Sequence, residues 1–303
     1  MAILSDIIFS QKVGAFSPPE FIAACSTKCF GNMAFSRDRD GSAPHNFRRF
    51  VRELGVSLDQ TAVAVASTSD GPHIAILRDQ IPAGRQVITP QSRLVERLVC
   101  AQRDFGPQID TPARLNSVDS IIAPNGASLL GILPADCGVI GLYDPTTRAS
   151  AIVHNGWVGC FRMILTETVE LMRQDLGVRP SNLFAYIFPC AKYPNARLAD
   201  SFLSDVLQKQ APAIATAEFD ASKFALKQLL DCGVSLDRIE TSPICTLEQA
   251  DRFYSYQRSK LAHTEQAEGR QMCLWGLSVP QGVHPAGKST KDPAADFESP
   301  LVV

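Results

Sequence analysis

The stretch that decides the fold runs from Pro134 to Gly159 and reads PADCGVIGLYDPTTRASAIVHNGWVG. Within it, Gly138–Tyr143 and Ala149–Val153 are short apolar runs rich in Val and Ile, separated by Asp144-Pro145, a pair that breaks regular structure as a turn does. The pattern predicts a β-hairpin. In a hairpin, residues near opposite ends of the segment become cross-strand neighbours. Cys137, at the head of the first run, and His154, at the foot of the second, are therefore expected side by side at one end of a sheet. Beyond them Asn155-Gly156 turns the chain, and Cys160–Leu176 reads as a helix with Phe161, Ile164, Leu165, Val169 and Met172 on one face. A helix start close behind the pair would favour a thiolate or a bound anion such as phosphate. Taken singly, a cysteine is more often an inert small hydrophobe and a histidine a hydrogen-bonded structural residue, so the functional reading rests on the pairing.

Composition narrows the classes. The 303 residues are 45% apolar, enough for a large core, and a net charge of -2 without an extended Lys/Arg cluster gives no electrostatic footprint for nucleic acid. No apolar run is long enough to span a bilayer, so no membrane partner is expected. Met1–Ser10 lacks a basic n-region and makes a poor secretory signal. The nine cysteines are an odd number without repeated spacing, which fits a reducing cytoplasm. Cys25 and Cys29 read as ordinary thiols, because no second Cys/His pair follows at the spacing of a structural zinc site.

With Pro134-Ala135-Asp136-Cys137, Asp144-Pro145 and His154-Asn155-Gly156-Trp157-Val158-Gly159 in order, the chain resembles the laccase-domain family, also labelled polyphenol oxidase. Its members carry T-A-D-C, an apolar strand ending in D-P, and H-A-G-W-R-G opening a helix. The resemblance extends to Ser26–Phe35, Asn46–Gly55, Val118–Ile122 and Cys245–Trp275, and overall to residues 16–277. It implies an α+β fold, a single mixed-sheet domain with packed helices. After it, residues 278–303 turn to Pro, Gly, Ser, Lys and Asp and read as a disordered tail.

Other elements follow from pattern. Phe47, Phe50, Val51 and Leu54 share a helix face, with Asn46 as its expected cap and Gly55 as its stop. Thr61–Ser67 and Ile74–Leu77, on either side of Ser69-Asp70-Gly71-Pro72, are expected to pair or form one bulged strand. Residues 78–116 read as a surface excursion with a helix-like patch at Leu94–Ala101. Leu183–Phe188 reads as a strand, and Asp220 caps a helix bearing Ala221, Phe224, Ala225 and Leu229, with Gly233 as its stop.

One thiolate plus imidazole or carboxylate suits Zn(II), with a position left for water or substrate. Five histidines are too few for a multi-copper oxidase. The resemblance implies instead a zinc-dependent purine nucleoside phosphorylase or deaminase acting on adenosine-type nucleosides, with one zinc per chain. The implied ligands are Cys137, His154 and either Asp70, which stands in the slot of the family's first histidine, or His73 three residues on. Arg48, Trp157, Arg258 and Arg270 are the candidate substrate and phosphate contacts. Two departures from the family pattern, Asp70 for His and Val158 for Arg, point to a changed substrate or to lost catalysis. The alternatives are a Cys-His amide hydrolase of the peptidoglycan-editing type, which would use Cys137 without metal, and a non-catalytic relative that binds a nucleoside or a partner protein.

Overall fold

The computed structural model describes residues 6–10, 21–35, 40–58, 62–67, 73–78, 86–88, 96–101, 113–116, 118–124, 128–192, 220–261 and 269–278. In chain order the first elements are β1 (Ile8–Phe9), β2 (Phe21–Cys25), α1 (Ala43–Glu53), β3 (Ala62–Ser67), β4 (His73–Arg78), β5 (Gln86–Ile88) and β6 (Glu96–Ala101). Then come β7 (Ala113–Asn116), β8 (Val118–Ala123), β9 (Ser128–Ile132), β10 (Gly138–Tyr143), β11 (Ser150–Asn155), α2 (Trp157–Phe161) and α3 (Ile164–Leu176). The remainder are β12 (Phe184–Ile187), α4 (Ala221–Asp231), β13 (Ile239–Thr241), α5 (Tyr256–Leu261) and β14 (Cys273–Leu277).

The strands form a six-stranded sheet ordered β1-β2-β14-β9-β3-β7 and an eight-stranded sheet ordered β13-β12-β10-β11-β8-β4-β6-β5. Both mix parallel and antiparallel ladders, and the fold is α+β as expected. Side chains alternate along each strand, so each sheet has two apolar faces to bury. Facing each other, the sheets enclose Ala66, Leu130 and Trp275 from one and Leu77, Ile121, Val139 and Ile152 from the other. The outer face of the larger sheet packs Ile140, Ala151 and Val153 against Ile164, Leu165, Val169 and Met172 of α3 and Ala225 and Leu229 of α4. The outer face of the smaller sheet packs Val63, Val65 and Leu274 against Phe47, Phe50 and Val51 of α1. At about 1.5–3 kcal/mol for each large apolar side chain buried, these interfaces dominate what holds the layers together. Trp275 ties the two sheets directly: its indole Nε1 donates to the Leu142 carbonyl at 2.7 Å, and its ring lies 2.2 Å from where a Cβ on Gly141 would stand. Only glycine fits at position 141.

The hairpin forms as its sequence predicts, β10 pairing antiparallel with β11 from Gly138↔Asn155 to Tyr143↔Ser150. Asp144 fixes the turn, its carboxylate accepting from the Thr146 N–H at 2.9 Å and the Thr147 hydroxyl at 3.1 Å. The α4 cap is also as expected, Asp220 accepting from the N–H groups of Ser222 and Lys223.

Four expectations are corrected. The Cys160–Leu176 helix starts earlier, at Trp157, and breaks at Met163, whose φ of 55° is left-handed, so Phe161 leaves the α3 face and packs with Cys160 instead. Helix α1 starts at Ala43 with Ser42 as its cap, because Pro44 suits a first turn; Asn46 lies inside it and donates to the Asn32 carbonyl. β3 and β4 do not pair; they belong to different sheets, each running parallel to its neighbours. Glu96–Ala101 is strand β6 rather than helix, recruited by a six-residue parallel ladder with β4 that local periodicity does not reveal. The expected tail, beyond residue 278, lies outside the described residues. Among the described residues no helix is long and apolar enough to cross a membrane.

Candidate active site

The hairpin brings Cys137 and His154 together. Val139 pairs with His154, so Cys137 enters β10 beside the end of β11. A Cβ added to Gly156 would lie 3.3 Å from Cys137 Sγ and 3.3 Å from His154 Nε2, so thiol and imidazole both pack closely against the backbone at this glycine. The other ring nitrogen is taken: His154 Nδ1 lies 2.7 Å from Asp119 Oδ1, both residues being buried. That contact fixes the ring and leaves Nε2 toward Cys137. Burial works to lower the His154 pKa, but the Cys137 charge, the hydrogen bonds to Asp119 and Cys137, and the Asp119 charge together raise it well above its ordinary value.

Asp119 reaches His154 through the β8–β11 ladder: Val153 pairs with Ser120, which sets Asp119 opposite His154, and the register of β8 against β4 shifts at the same point, between His73 and Ile74. Sequence reasoning passed over it, although a carboxylate within the apolar run Val118–Ile122 was itself a signal: a buried charge needs a partner. Asp136, also buried, precedes Cys137 with φ 80°.

The remaining expected residues are distributed as follows. His73, half-buried, begins β4, two strands from His154 at the same end of the sheet, and alternates in phase with Ala75 and Leu77, which face the inter-sheet core. Asp70 lies outside the described residues. Among the described residues no group of three or more His, Cys, Asp or Glu could hold a metal, so Cys137 and His154 form a two-donor set. Trp157, half-buried, packs at the start of α2 with Phe161 and Phe224 around Cys160 and Ala221. Arg258 spends its guanidinium inside the fold, donating to the carbonyls of Thr246, Leu247 and Phe253. Arg270 donates to the Gly269 carbonyl at 2.9 Å and lies 6.0 Å from the Tyr256 ring centroid. Arg48 is exposed on α1.

Residues 7–278 match the model of the family described as multi-copper polyphenol oxidoreductase laccase. The chain belongs to this family. Among its laccase-family relatives, the purine nucleoside phosphorylase YlmD of Bacillus subtilis is 26% identical over 185 residues, 58% of this chain and 65% of that protein. The purine nucleoside phosphorylase SCO2081 of Streptomyces coelicolor is 30% identical over 148 residues, 47% of this chain and 60% of that protein. In these alignments the chain spans less than two thirds of the relative's length. The crystal structure of YlmD from Geobacillus stearothermophilus superposes with a TM-score of 0.67 at 20% identity, covering 87% of this chain and 94% of that one. A Neisseria meningitidis protein, NMB0706, superposes with a TM-score of 0.63 at 17% identity. At these identities the superpositions establish the laccase-domain fold.

Proposed function

We propose that this protein is a purine nucleoside phosphorylase acting on adenosine-type nucleosides, with adenosine deamination as a second reaction and one zinc ion per chain. The observation that carries the reading is the meeting of Cys137 Sγ and His154 Nε2 beside Gly156, with Asp119 bonded to the far nitrogen of the imidazole. Curated relatives named as purine nucleoside phosphorylases supply the substrate class.

The donor chemistry fits zinc. A thiolate and an imidazole nitrogen are preferred ligands, and a histidine whose far nitrogen bonds a carboxylate is the usual form of a zinc-binding histidine. Cys137 and His154 would hold the ion; of the two candidate third ligands, His73 does not group with them among the described residues, which leaves Asp70. Bound there, zinc would supply Lewis-acid polarisation of a substrate oxygen or of water. Asp119 holds the imidazole orientation, and Trp157 offers an aromatic surface beside the site to a base. With Arg258 committed to backbone carbonyls, phosphate recognition falls to Arg270, carried close to the Cys137 segment by the Gln271 N–H, which donates to the Pro134 carbonyl at 3.0 Å. The reading places the enzyme in the cytoplasm.

The test is adenine release from adenosine with and without phosphate, alongside metal analysis. Phosphate-dependent release with about one zinc per chain is the expected result. Zinc content unchanged in Cys137→Ala would overturn the metal assignment, and absence of base release at full zinc would overturn the phosphorylase. Asp70→His, which restores the family pattern, is expected to raise both zinc affinity and adenine release if Asp70 is the third ligand.

The Asp119–His154–Cys137 chain of contacts also supports a second reading, a Cys-His-Asp hydrolase. It predicts amide hydrolysis that survives chelation and stops with iodoacetamide.

A further inference from the structure

The residue ahead of Cys137 is held in a way that a plain turn does not require. Asp136 has φ 80°, in the left-handed region where glycine or asparagine is the easy choice, and it is 6% exposed. Its carboxylate is nonetheless fully engaged. Oδ1 accepts from the Thr246 hydroxyl at 2.8 Å, and Oδ2 accepts from the Ser255 hydroxyl at 2.7 Å and the Gln257 N–H at 2.8 Å. Its carbonyl accepts from the Ala191 N–H at 2.9 Å. On the other side of Cys137, Gly138 lies so close to β11 that a Cβ there would sit 3.0 Å from the Asn155 carbonyl oxygen. The Cys137 backbone is thus clamped before and after, and the three bonds to the Asp136 carboxylate come from a segment more than one hundred residues away.

We infer that Asp136 is a positioning residue, whose bonds to Thr246, Ser255 and Gln257 hold its left-handed backbone and thereby aim Cys137 Sγ at His154. Backbone strain of this kind persists only where the surroundings over-determine it, and here the strained residue adjoins the reactive thiol. The inference also makes the Thr246–Gln257 segment part of the site's support: a shift of that segment moves the thiol. It deepens the proposed function but stands on the Cys137–His154 geometry alone.

Two variants test it. Asp136→Asn keeps shape and tolerance for positive φ but sets an N–H2 against hydroxyl and amide donors; Thr246→Val removes one donor at nearly constant volume. In the full-length chain with EDTA present, alkylation of Cys137 by iodoacetamide is followed by mass spectrometry of its peptide. The expected result is a rate about 5-fold slower in Asp136→Asn, as the thiol loses its imidazole partner, and a smaller slowing in Thr246→Val. Turnover should fall about 10-fold in Asp136→Asn with KM within about 2-fold, a split that misplacement of a reacting group produces. A wild-type alkylation rate in folded Asp136→Asn overturns the inference, and if that variant does not fold, a wild-type rate in Thr246→Val does so. Because alkylation needs no substrate, a wild-type enzyme inactive on nucleosides would count against the proposed reaction and leave this measurement to decide the role of Asp136.

Discussion

Two cysteine neighbourhoods show how setting decides chemistry. In the smaller sheet Cys25 and Cys273 are cross-strand partners with sulfurs 3.6 Å apart, both buried, and burial followed by the contact with Cys25 pushes the Cys273 thiol well above its ordinary pKa. In the larger sheet Cys137 is half-buried and meets an imidazole tied to a carboxylate. The first pair is two thiols sealed from solvent. The second sets a partly accessible thiol against a basic group. Reactivity follows from partner and access, and being a cysteine beside another polarisable group is not enough.

Substitutions sharpen that contrast, and the largest effect is expected from Cys137→Ala. Losing a ligand outright should weaken metal binding by at least about 100-fold, beyond the loss that removing a supporting residue gives. Cys25→Ala should leave metal content unchanged and cost about 1 kcal/mol of stability in urea unfolding. Equal metal loss in both variants would erase the distinction.

Gly156→Ala comes next. The φ of -66° at Gly156 suits alanine, so the substitution presses a methyl group against Cys137 and His154, at 3.2–3.3 Å, without backbone strain. Metal uptake should drop about 10-fold while overpacking costs about 1–3 kcal/mol, read by metal titration and thermal unfolding. Unimpaired uptake would show that the ligand does not bind beside this residue.

Asp119→Asn should weaken metal affinity about 10-fold, because an amide no longer enforces the imidazole orientation. The carboxylate is buried, so a small loss of stability accompanies it, and Asp119→Ala should lose more of both.

The smallest effect concerns the buried thiols. Burial pushes Cys190 up to about 12 and raises Cys160 and Cys273 as well. With folded pKa values above the unfolded ones, their contribution is fully present below the unfolded value of about 9 and fades as pH rises toward the folded values. Urea stability should therefore decline through this alkaline window, and Cys190→Ala should flatten the decline.

What the sequence made legible was local. The β10–β11 hairpin, the meeting of Cys137 with His154 and the Asp220 cap depend on residues within a turn or a hairpin of each other. What it hid was long-range. The assignment of β3 and β4 to separate sheets and the strand character of β6 are decided by partners across the fold, and no window of the sequence contains them. Asp119 fell between the two cases: its chemical oddity within an apolar strand was visible, but its place opposite His154 arises only when β8 pairs with β11.

The chain contains two tryptophans, and their placement makes them separate optical reporters. Trp275 is fully buried between the sheets, with its N–H on Leu142 and its ring against Phe21 and Phe188, so its emission should be blue-shifted and should move to longer wavelength only when the sheets part. Trp157 is half-buried at the start of α2, three residues from His154, and should respond to whatever binds at Cys137 and His154. Excited together, they let one fluorescence titration separate loss of the core from occupation of the site, with Trp157→Phe leaving the core signal alone.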